Sequence, residues 1–344
     1  MRDIDIRVEN STGRITLKRP NALNALTYDM CLLIEKALDR WREEDEVNII
    51  LIDAEGDRAF CAGGDISEIY SEGMKGNFAY AQAFWRDEYR LNAKIFEYPK
   101  PIISLMQGFT MGGGVGLGCH GTHRIVCEQS QISMPECTIG LVPDVGGSLM
   151  LTLAPGRLGE FLGMTGWRMG PTDAIYAGFA DTFIPREFWP ALTEQLIANG
   201  SVEVIDDFFK TPPKGYLENI QDEINVLFDG EALLDIMNSL HASNSEVASI
   251  AKDSIDRASP LSCACTIEIV HRLRTSSLTI QKALELEFRF TFRSLEHGDL
   301  MEGIRAQIID KDRNPKWKYA NGQVPTIAVS NMLLPLGSNK LKLK

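Results

Sequence analysis

The chain has 344 residues, of which 44% are hydrophobic and 24% are charged. This is the composition of an ordinary soluble globular protein. Its formal net charge of −12 argues against a broad nucleic-acid surface, because binding to phosphate backbones needs a basic field. The charge leaves room for one small anionic ligand held by a few basic side chains and backbone amides.

The seven cysteines are odd in number and show no framework spacing, which indicates reduced thiols. The start of the chain, Met1-Arg-Asp-Ile-Asp5, lacks the regions of a secretory signal and is too acidic for a transit peptide. We therefore expect a cytoplasmic protein, or a mitochondrial matrix protein whose presequence has been removed. The uncharged run Pro101–His123 has the length of a membrane span, but its six glycines between 108 and 118 favour a buried strand and helix, so no membrane association is expected.

The first elements predicted along the chain are a hairpin, a helix and a buried strand. Ile4–Val8 and Arg14–Leu17 are expected to pair as a hairpin whose turn lies at 10–13. Thr27 is expected to cap a helix that runs to about residue 43, because apolar residues recur at helical spacing after it. Val47–Ile52 then predicts a buried strand.

The same alternation continues downstream. An amphipathic helix is predicted over Ala79–Glu97, followed by a strand at Ile102–Met106. Another helix is expected to begin in the glycine run near 112, with a strand at Arg124–Glu128. Strands that alternate with helices predict an α/β domain over residues 1–205.

The composition changes near Thr211-Pro-Pro-Lys-Gly215, and residues 206–344 are predicted to form a mainly helical C-terminal region. Ile267–Leu273 and Ile280–Leu295 carry apolar residues at helical intervals. The tail after Tyr319 has little periodicity and is predicted to be partly ordered surface chain.

Two acids, Glu136 and Asp144, lie eight positions apart in the segment 134–147, which carries no other charged residue. Ionised carboxylates in apolar surroundings are costly unless they have partners, and proteins use that cost to tune acids, bases and nucleophiles. The spacing alone fits catalysis, a structural ion pair or a helix cap.

Two glycine-rich segments upstream, Phe60–Asp65 and Met111–Gly118, offer bare backbone. We expect Gly112–Gly114 to lie where a strand gives way to a helix, with amide groups that have no intrahelical partner at the positive end of the helix dipole. Such an end binds a phosphate or the developing oxyanion of a thioester. Gly116 and Gly118 are expected to serve packing of the buried helix.

Three other patterns here indicate different chemistry. Gly116–Gly121 has the spacing of a dinucleotide site but falls inside the expected helix. Gly108–Gly112 resembles a nucleophile elbow that carries threonine, although none of the five histidines is placed to complete a triad. The third pattern is a set of candidate metal ligands, namely Cys119, His120, His123 and Cys127. Their spacing matches no zinc pattern well, and no metal is expected.

Taken together, the chain resembles the crotonase, or enoyl-CoA hydratase/isomerase, superfamily. The resemblance rests on Leu17–Leu26 (LKRPNALNAL), Ala59–Asp65 (AFCAGGD), the glycine helix 111–118 and the acid-bearing segment, in the family's order. Within the superfamily the chain is most similar to the branch that hydrolyses short β-hydroxyacyl-CoA thioesters. That similarity adds the phrase Arg86–Asn92 and the C-terminal segment 302–317, which lies far outside the shared core.

The resemblance implies a crotonase-like spiral of ββα units with a mainly helical C-terminal region. It implies a coenzyme A thioester whose carbonyl accepts hydrogen bonds from the N–H groups of Gly64 and Gly113, which form an oxyanion hole. It makes Glu136 and Asp144 the catalytic pair. No separate cofactor is implied, because coenzyme A is part of the substrate, and the expected partner is a small-molecule acyl-CoA, with a homo-oligomer left open.

Three further residues are implied to contact the substrate, namely Glu88, Asp65 and Ile66, together with Gly113. From its own context, Arg86–Arg90, Glu88 is expected to be a solvated acid that makes i,i+4 ion pairs. The resemblance reverses that expectation.

The order of chemical events stays open at this point. Glu136 could attack the carbonyl to form a mixed anhydride, or act as general base on water. Asp144 would orient the substrate hydroxyl or transfer protons. Two rival functions are hydration or isomerisation of an enoyl-CoA and non-catalytic binding of an acyl-CoA.

Overall fold

The computed structural model describes residues 3–343. Within them the strands are β1 (Ile4–Glu9), β2 (Thr12–Leu17), β3 (Ile49–Ala54), β4 (Ala59–Cys61), β5 (Ile102–Met106), β6 (Phe109–Met111), β7 (His123–Val126), β8 (Gln131–Ser133) and β9 (Thr182–Phe183). The helices of the first two-thirds are α1 (Tyr28–Glu43), α2 (Ser67–Met74), α3 (Phe78–Phe96), α4 (Gly113–Gly118), α5 (Gly147–Leu153), α6 (Leu158–Thr165), α7 (Pro171–Tyr176), α8 (Trp189–Asn199) and α9 (Leu217–Leu227). The remaining helices are α10 (Leu233–Ala242), α11 (Glu246–Ile255), α12 (Pro260–Arg274), α13 (Ile280–His297), α14 (Leu300–Ile304) and α15 (Thr326–Met332).

The strands of the described chain form two sheets. The larger has the order β1-β2-β3-β5-β7-β9, in which β1 and β2 are antiparallel and the other neighbours are parallel. The smaller has the order β4-β6-β8 and is parallel. From β3 onward successive strands alternate between the two sheets, and each pair is followed by a helical segment. The predicted α/β spiral of ββα units is thereby confirmed, as is the mainly helical C-terminal region.

The chain divides into two compact units that are not contiguous in sequence. The first comprises residues 1–64, 90–133 and 168–216, and the second comprises residues 65–89, 134–167 and 217–344. This division neither confirms nor replaces the predicted boundary after residue 205. Among residues 3–343 no helix is both long and apolar enough to cross a membrane.

The core of the first unit lies on one face of the larger sheet. Alternate residues of β3, β5 and β7 pack there against α8 and the segment after it; the buried set is Ile49, Leu51, Ile103, Leu105, Ile125, Cys127, Ile184, Trp189, Leu192, Leu196, Val204 and Ile205. Trp189 can be buried because its Nε1–H donates a 2.9 Å hydrogen bond to the Ile184 carbonyl.

Local signals placed most elements of the first unit well. Thr27 caps α1 as predicted, with its Oγ1 accepting from the Met30 amide at 3.2 Å. Strand β3 begins at Ile49, two residues later than predicted. The reason is a turn after α1, in which the Val47 amide donates to the Glu44 carbonyl at 3.1 Å.

The second unit is helical, and its end differs from the prediction. Most of the tail is exposed or half-buried, as predicted, but it also contains α15, whose last residue, Met332, is only 2% exposed. Arg293 on α13 explains the difference, because its Nη1 donates to the carbonyls of Met332 at 3.1 Å and Leu334 at 2.8 Å. This is a long-range contact, which periodicity within the tail does not reveal.

Candidate active site

Glu136 and Asp144 are both buried in the second unit, each only 4% exposed. Glu136 begins a 3₁₀ turn, Glu136–Ile139, that directly follows Pro135. Gly140 ends this turn at a φ of +77°, and a side chain there would meet the Asp299 backbone. The glycine therefore allows the chain that follows Glu136 to pack closely against the Asp299 backbone.

Asp144 has a defined partner in Tyr89 of α3. The Tyr89 hydroxyl donates a 2.7 Å hydrogen bond to Asp144 Oδ2, and both side chains are buried. The same hydroxyl lies 3.4 Å from Thr291 Oγ1 on α13. One carboxylate oxygen of Asp144 is therefore held by a neutral donor rather than by a cation.

Glu88 precedes Tyr89 on α3 and is also buried, at 3% exposure. Its expected role as a solvated acid in i,i+4 ion pairs was therefore wrong, because α3 directs this residue inward. Glu88 Oε1 and Glu136 Oε2 are buried and have no hydrogen-bond partner among the described residues. Unsatisfied buried carboxyl oxygens are costly, and such atoms are often functional.

A fourth buried acid, Glu287 of α13, completes the cluster. Glu287 is 0% exposed and accepts hydrogen bonds from the Gly146 amide at 2.8 Å and the Ser148 amide at 3.0 Å. The Ser148 hydroxyl donates to it as well. Within residues 3–343, none of Glu88, Glu136, Asp144 and Glu287 forms an ion pair with a basic side chain.

These four acids are buried and have no basic side chain as a partner, and their pKa values are raised as a result. Burial and the neighbouring Asp144 charge raise the pKa values of Glu136 and Glu88 well above the ordinary value. Burial raises the pKa of Asp144 to about 7, with the Tyr89 hydrogen bond acting in the opposite direction. Burial also raises the pKa of Glu287 to about 8 against the effect of its hydrogen bonds. Near neutral pH the cluster therefore holds both a proton acceptor and proton donors.

Tyr89 and Glu287 were not predicted from the sequence. Tyr89 lies inside the phrase Arg86–Asn92, which carried the family resemblance but gave no reason to select the tyrosine. Glu287 did leave a signal. It occupies the buried stripe of α13 between Leu284 and Phe288, and an acid in such a stripe calls for a specific partner.

The predicted oxyanion residues, Gly64 and Gly113, lie in the first unit. Gly113 is the first residue of α4, and Gly64 bridges to Leu26. Their two amides donate hydrogen bonds to none of the described residues. Gly114 packs so closely on β4 that a methyl group there would overlap the Cys61 carbonyl, which fixes the start of α4 against the strand.

Asp65 and Ile66 belong to the second unit, where Ile66 is the residue before α2 and both are half-buried. Their substrate-contacting role stays a prediction.

The alternative nucleophile fits the structure poorly. Thr110, at the centre of Gly108–Gly112, is buried, and its Oγ1 has no hydrogen-bond partner among the described residues. A nucleophile of this type needs a base within hydrogen-bond reach. In the part of the chain that the structure describes, no group of three or more His, Cys, Asp or Glu side chains could hold a metal ion. As expected, Gly118 serves packing, since a methyl group there would crowd Met106 and Phe60.

Comparison with known proteins connects this arrangement to acyl-CoA enzymes. The family model described as enoyl-CoA hydratase/isomerase matches residues 12–333. The Homo sapiens protein named mitochondrial 3-hydroxyisobutyryl-CoA hydrolase is 37% identical over 352 residues, which cover 99% of this chain and 90% of that protein.

Two crystal structures are similar over nearly the whole chain. One is an enoyl-CoA hydratase from Rhodobacter sphaeroides 2.4.1, with 52% identity, a TM-score of 0.96, and coverage of 99% of this chain and 100% of that one. The other is a carnitinyl-CoA dehydratase from Mycobacterium thermoresistibile, with 37% identity, a TM-score of 0.95, and coverage of 100% and 99%. The resemblance predicted from the sequence is confirmed, including the similarity to the hydrolase branch. The chain belongs to the enoyl-CoA hydratase/isomerase family.

Proposed function

We propose that this protein hydrolyses a short β-hydroxyacyl-CoA thioester, with 3-hydroxyisobutyryl-CoA as the first candidate substrate. The products would be 3-hydroxyisobutyrate and coenzyme A, a step in valine degradation. The observation that carries the proposal is the buried pair of Glu136 and Asp144, both raised in pKa and neither neutralised by a cation. Similarity to relatives named 3-hydroxyisobutyryl-CoA hydrolase supports the choice of reaction.

The pair suits hydrolysis because the reaction needs one group to accept a proton and another to donate one. Water must lose a proton as it attacks the carbonyl carbon, and the thiolate must gain one as the C–S bond breaks. Asp144, with a pKa of about 7, is the better acceptor near neutral pH. Glu136, whose pKa lies well above its ordinary value, is the better donor.

The amides of Gly64 and Gly113 take the oxyanion role in this proposal. A preorganised donor to a developing oxyanion contributes about 3–4 kcal/mol to stabilising the transition state. Support comes from the observation that neither amide donates to another described residue. No separate cofactor is proposed, because coenzyme A enters as part of the substrate.

A mixed anhydride on Glu136 is the alternative route. It requires the ionised form of Glu136, which burial disfavours in the free protein. A single turnover in ¹⁸O-water tests the anhydride route. Label in the Glu136 carboxyl group supports an anhydride that water opens at the Glu136 carbonyl, whereas label in the product acid alone supports attack of water at the acyl carbon, either directly on the thioester or on the anhydride.

Hydration of an enoyl-CoA is the second candidate function. The observation that favours it is the 52% identity to the Rhodobacter sphaeroides enoyl-CoA hydratase. An oxyanion site also stabilises an enolate, and two acids could add water across a double bond. The product decides between the two functions, because only hydrolysis releases a free thiol.

Thiol release from a panel of short β-hydroxyacyl-CoA thioesters tests the proposal. We expect Glu136→Gln and Asp144→Asn each to lower kcat by about 10²- to 10⁴-fold, since each removes one proton-transfer group. The matched control is Glu35→Gln, which alters a largely buried acid of the first unit that pairs with Arg90. Activity near that of the wild type in both cluster variants would refute the proposal.

The compartment and the assembly remain proposals too. The relatives with hydrolase names are also named mitochondrial, which supports the matrix as a location. A cytoplasmic location and a homo-oligomer both stay predictions from the sequence.

A further inference from the structure

The turn that follows Asp144 has an unusual backbone. Val145 has a φ of +54° and Gly146 a φ of +82°, so two consecutive residues lie in the left-handed region. The Gly147 amide donates to the Asp144 carbonyl at 2.7 Å and closes a type I′ turn. Glycine, asparagine and aspartate normally occupy these positions, and a β-branched valine with positive φ is a genuine outlier.

Such a conformation persists only when its surroundings hold it in place. Glu287 provides that hold from a distant part of the sequence. Its Oε2 accepts from the Gly146 amide at 2.8 Å, and its Oε1 accepts from the Ser148 amide at 3.0 Å and from the Ser148 hydroxyl. The carboxyl group therefore binds both residues on either side of Gly147.

The same helix also reaches the other side of Asp144. Thr291 lies one turn beyond Glu287 on α13, and its Oγ1 is 3.4 Å from the Tyr89 hydroxyl. That hydroxyl donates the 2.7 Å hydrogen bond to Asp144 Oδ2. Helix α13 thus makes two contacts around Asp144. Glu287 binds the backbone that follows Asp144, and Thr291 contacts Tyr89, the hydrogen-bond partner of the Asp144 carboxyl group.

We propose that Glu287 is a positioning residue, which holds the Val145–Ser148 turn and thereby fixes the Asp144 carboxyl group for proton transfer. This inference rests on the proposed function, in which Asp144 accepts the proton from water. Glu287 does not itself contact the reacting atoms. Its burial and its three donors from a single turn distinguish it from a surface cap.

The alternative is a purely structural role, in which Glu287 only stabilises the fold by capping α5. The two roles differ in what a substitution changes. Substitution of a purely structural residue lowers the amount of folded protein, while the folded fraction keeps its kcat and KM. Substitution of a positioning residue lowers kcat in the folded fraction with little change in KM, since a misplacement of about 1 Å can reduce the rate about 10²-fold.

The test compares Glu287→Gln and Ser148→Ala with the wild type. The comparison is made at about pH 9, above the Glu287 pKa of about 8, where the wild-type carboxylate accepts all three hydrogen bonds. In Glu287→Gln an amide N–H₂ replaces one acceptor oxygen and faces a donor. Ser148→Ala removes only the hydroxyl and keeps the backbone amide, so it serves as the milder variant. The matched control is Ser245→Ala, which removes the N-cap of α11 in the same unit, where Ser245 Oγ accepts from the Ala248 amide at 3.1 Å.

Two readouts are taken on each folded variant: kcat and KM for thiol release, and hydrogen exchange of the peptide spanning 144–150. We expect Glu287→Gln to lower kcat about 10²-fold at nearly constant KM and to exchange this segment at least tenfold faster. Ser148→Ala should show smaller changes in the same direction, and Ser245→Ala should show neither.

Unchanged kcat and unchanged local exchange in Glu287→Gln would overturn the inference. If the wild type itself releases no thiol from any thioester, the proposed function fails. Hydrogen exchange then decides the inference alone: faster exchange in Glu287→Gln but not in Ser245→Ala supports the hold on the turn, and equal exchange refutes it.

Discussion

The substitution Tyr89→Phe tests whether Asp144 is the group that must be ionised for activity. The Tyr89 hydroxyl donates a 2.7 Å hydrogen bond to Asp144 Oδ2, and this bond lowers the pKa of Asp144 while burial raises it to about 7. A hydrogen bond to a charged group contributes about 1.5–3 kcal/mol. That energy corresponds to a pKa change of about 1–2. The pKa of Asp144 should rise by this amount when the hydroxyl is removed.

The assay is the pH dependence of kcat/KM for thiol release between about pH 5 and pH 10. Because Asp144 must be ionised to accept a proton, the acid limb should move to higher pH by about 1–2. Activity should recover at high pH, since phenylalanine fills nearly the same buried space. Tyr98→Phe is the control, because the Tyr98 hydroxyl is also buried but donates to the Leu38 carbonyl at 2.6 Å in the first unit. An unmoved acid limb in folded Tyr89→Phe would refute the assignment of Asp144.

Three further predictions concern stability. The pKa of Asp144 in the folded protein is about 7, above its ordinary value of 3.8, so the stability that is present below about pH 4 is lost as the pH rises to 7. Urea titration should therefore find Asp144→Asn more stable than the wild type by up to about 4 kcal/mol at pH 8, and about equally stable at pH 4. Glu160 is buried, pairs with Arg274 at 2.8 Å and has its pKa lowered from 4.5 to about 2. Its contribution to the free energy of unfolding is therefore present above pH 4.5 and is lost as the pH falls towards 2. Glu160→Gln should lower stability by about 3 kcal/mol at pH 7, and an equal loss at pH 2 would contradict this. Gly114→Ala should destabilise the protein by at least about 3 kcal/mol in thermal unfolding, because the methyl group overlaps the Cys61 carbonyl. Gly170→Ala, which has open space around it, should change stability little. Equal effects would show that the backbone at β4 can shift to accommodate the methyl group.

The elements that sequence predicts best are those set by neighbouring residues. The Thr27 cap, the strand Ile102–Met106 and the glycine start of α4 depend on local chemistry and spacing, and the structure has them where they were predicted. Helix α15 was missed because Arg293, far away in sequence, binds the carbonyls at its end.

The acid cluster divides in the same way. Glu136 and Asp144 could be selected because they lie in a segment without other charges. The burial of Glu88 was missed because an acid among charged helix neighbours gives a surface pattern, and only packing turns it inward. The hold of Glu287 on the Gly146 and Ser148 amides spans about 140 residues of sequence, so it emerges only from the folded chain.

The measurement that tests the central claim most directly follows free thiol and enoyl-thioester absorbance together while the wild-type protein acts on 3-hydroxyisobutyryl-CoA. Hydrolysis predicts one free thiol for each molecule of 3-hydroxyisobutyrate formed, with no enoyl thioester. Formation of enoyl thioester without free thiol would contradict the account and would make the protein a hydratase acting in reverse.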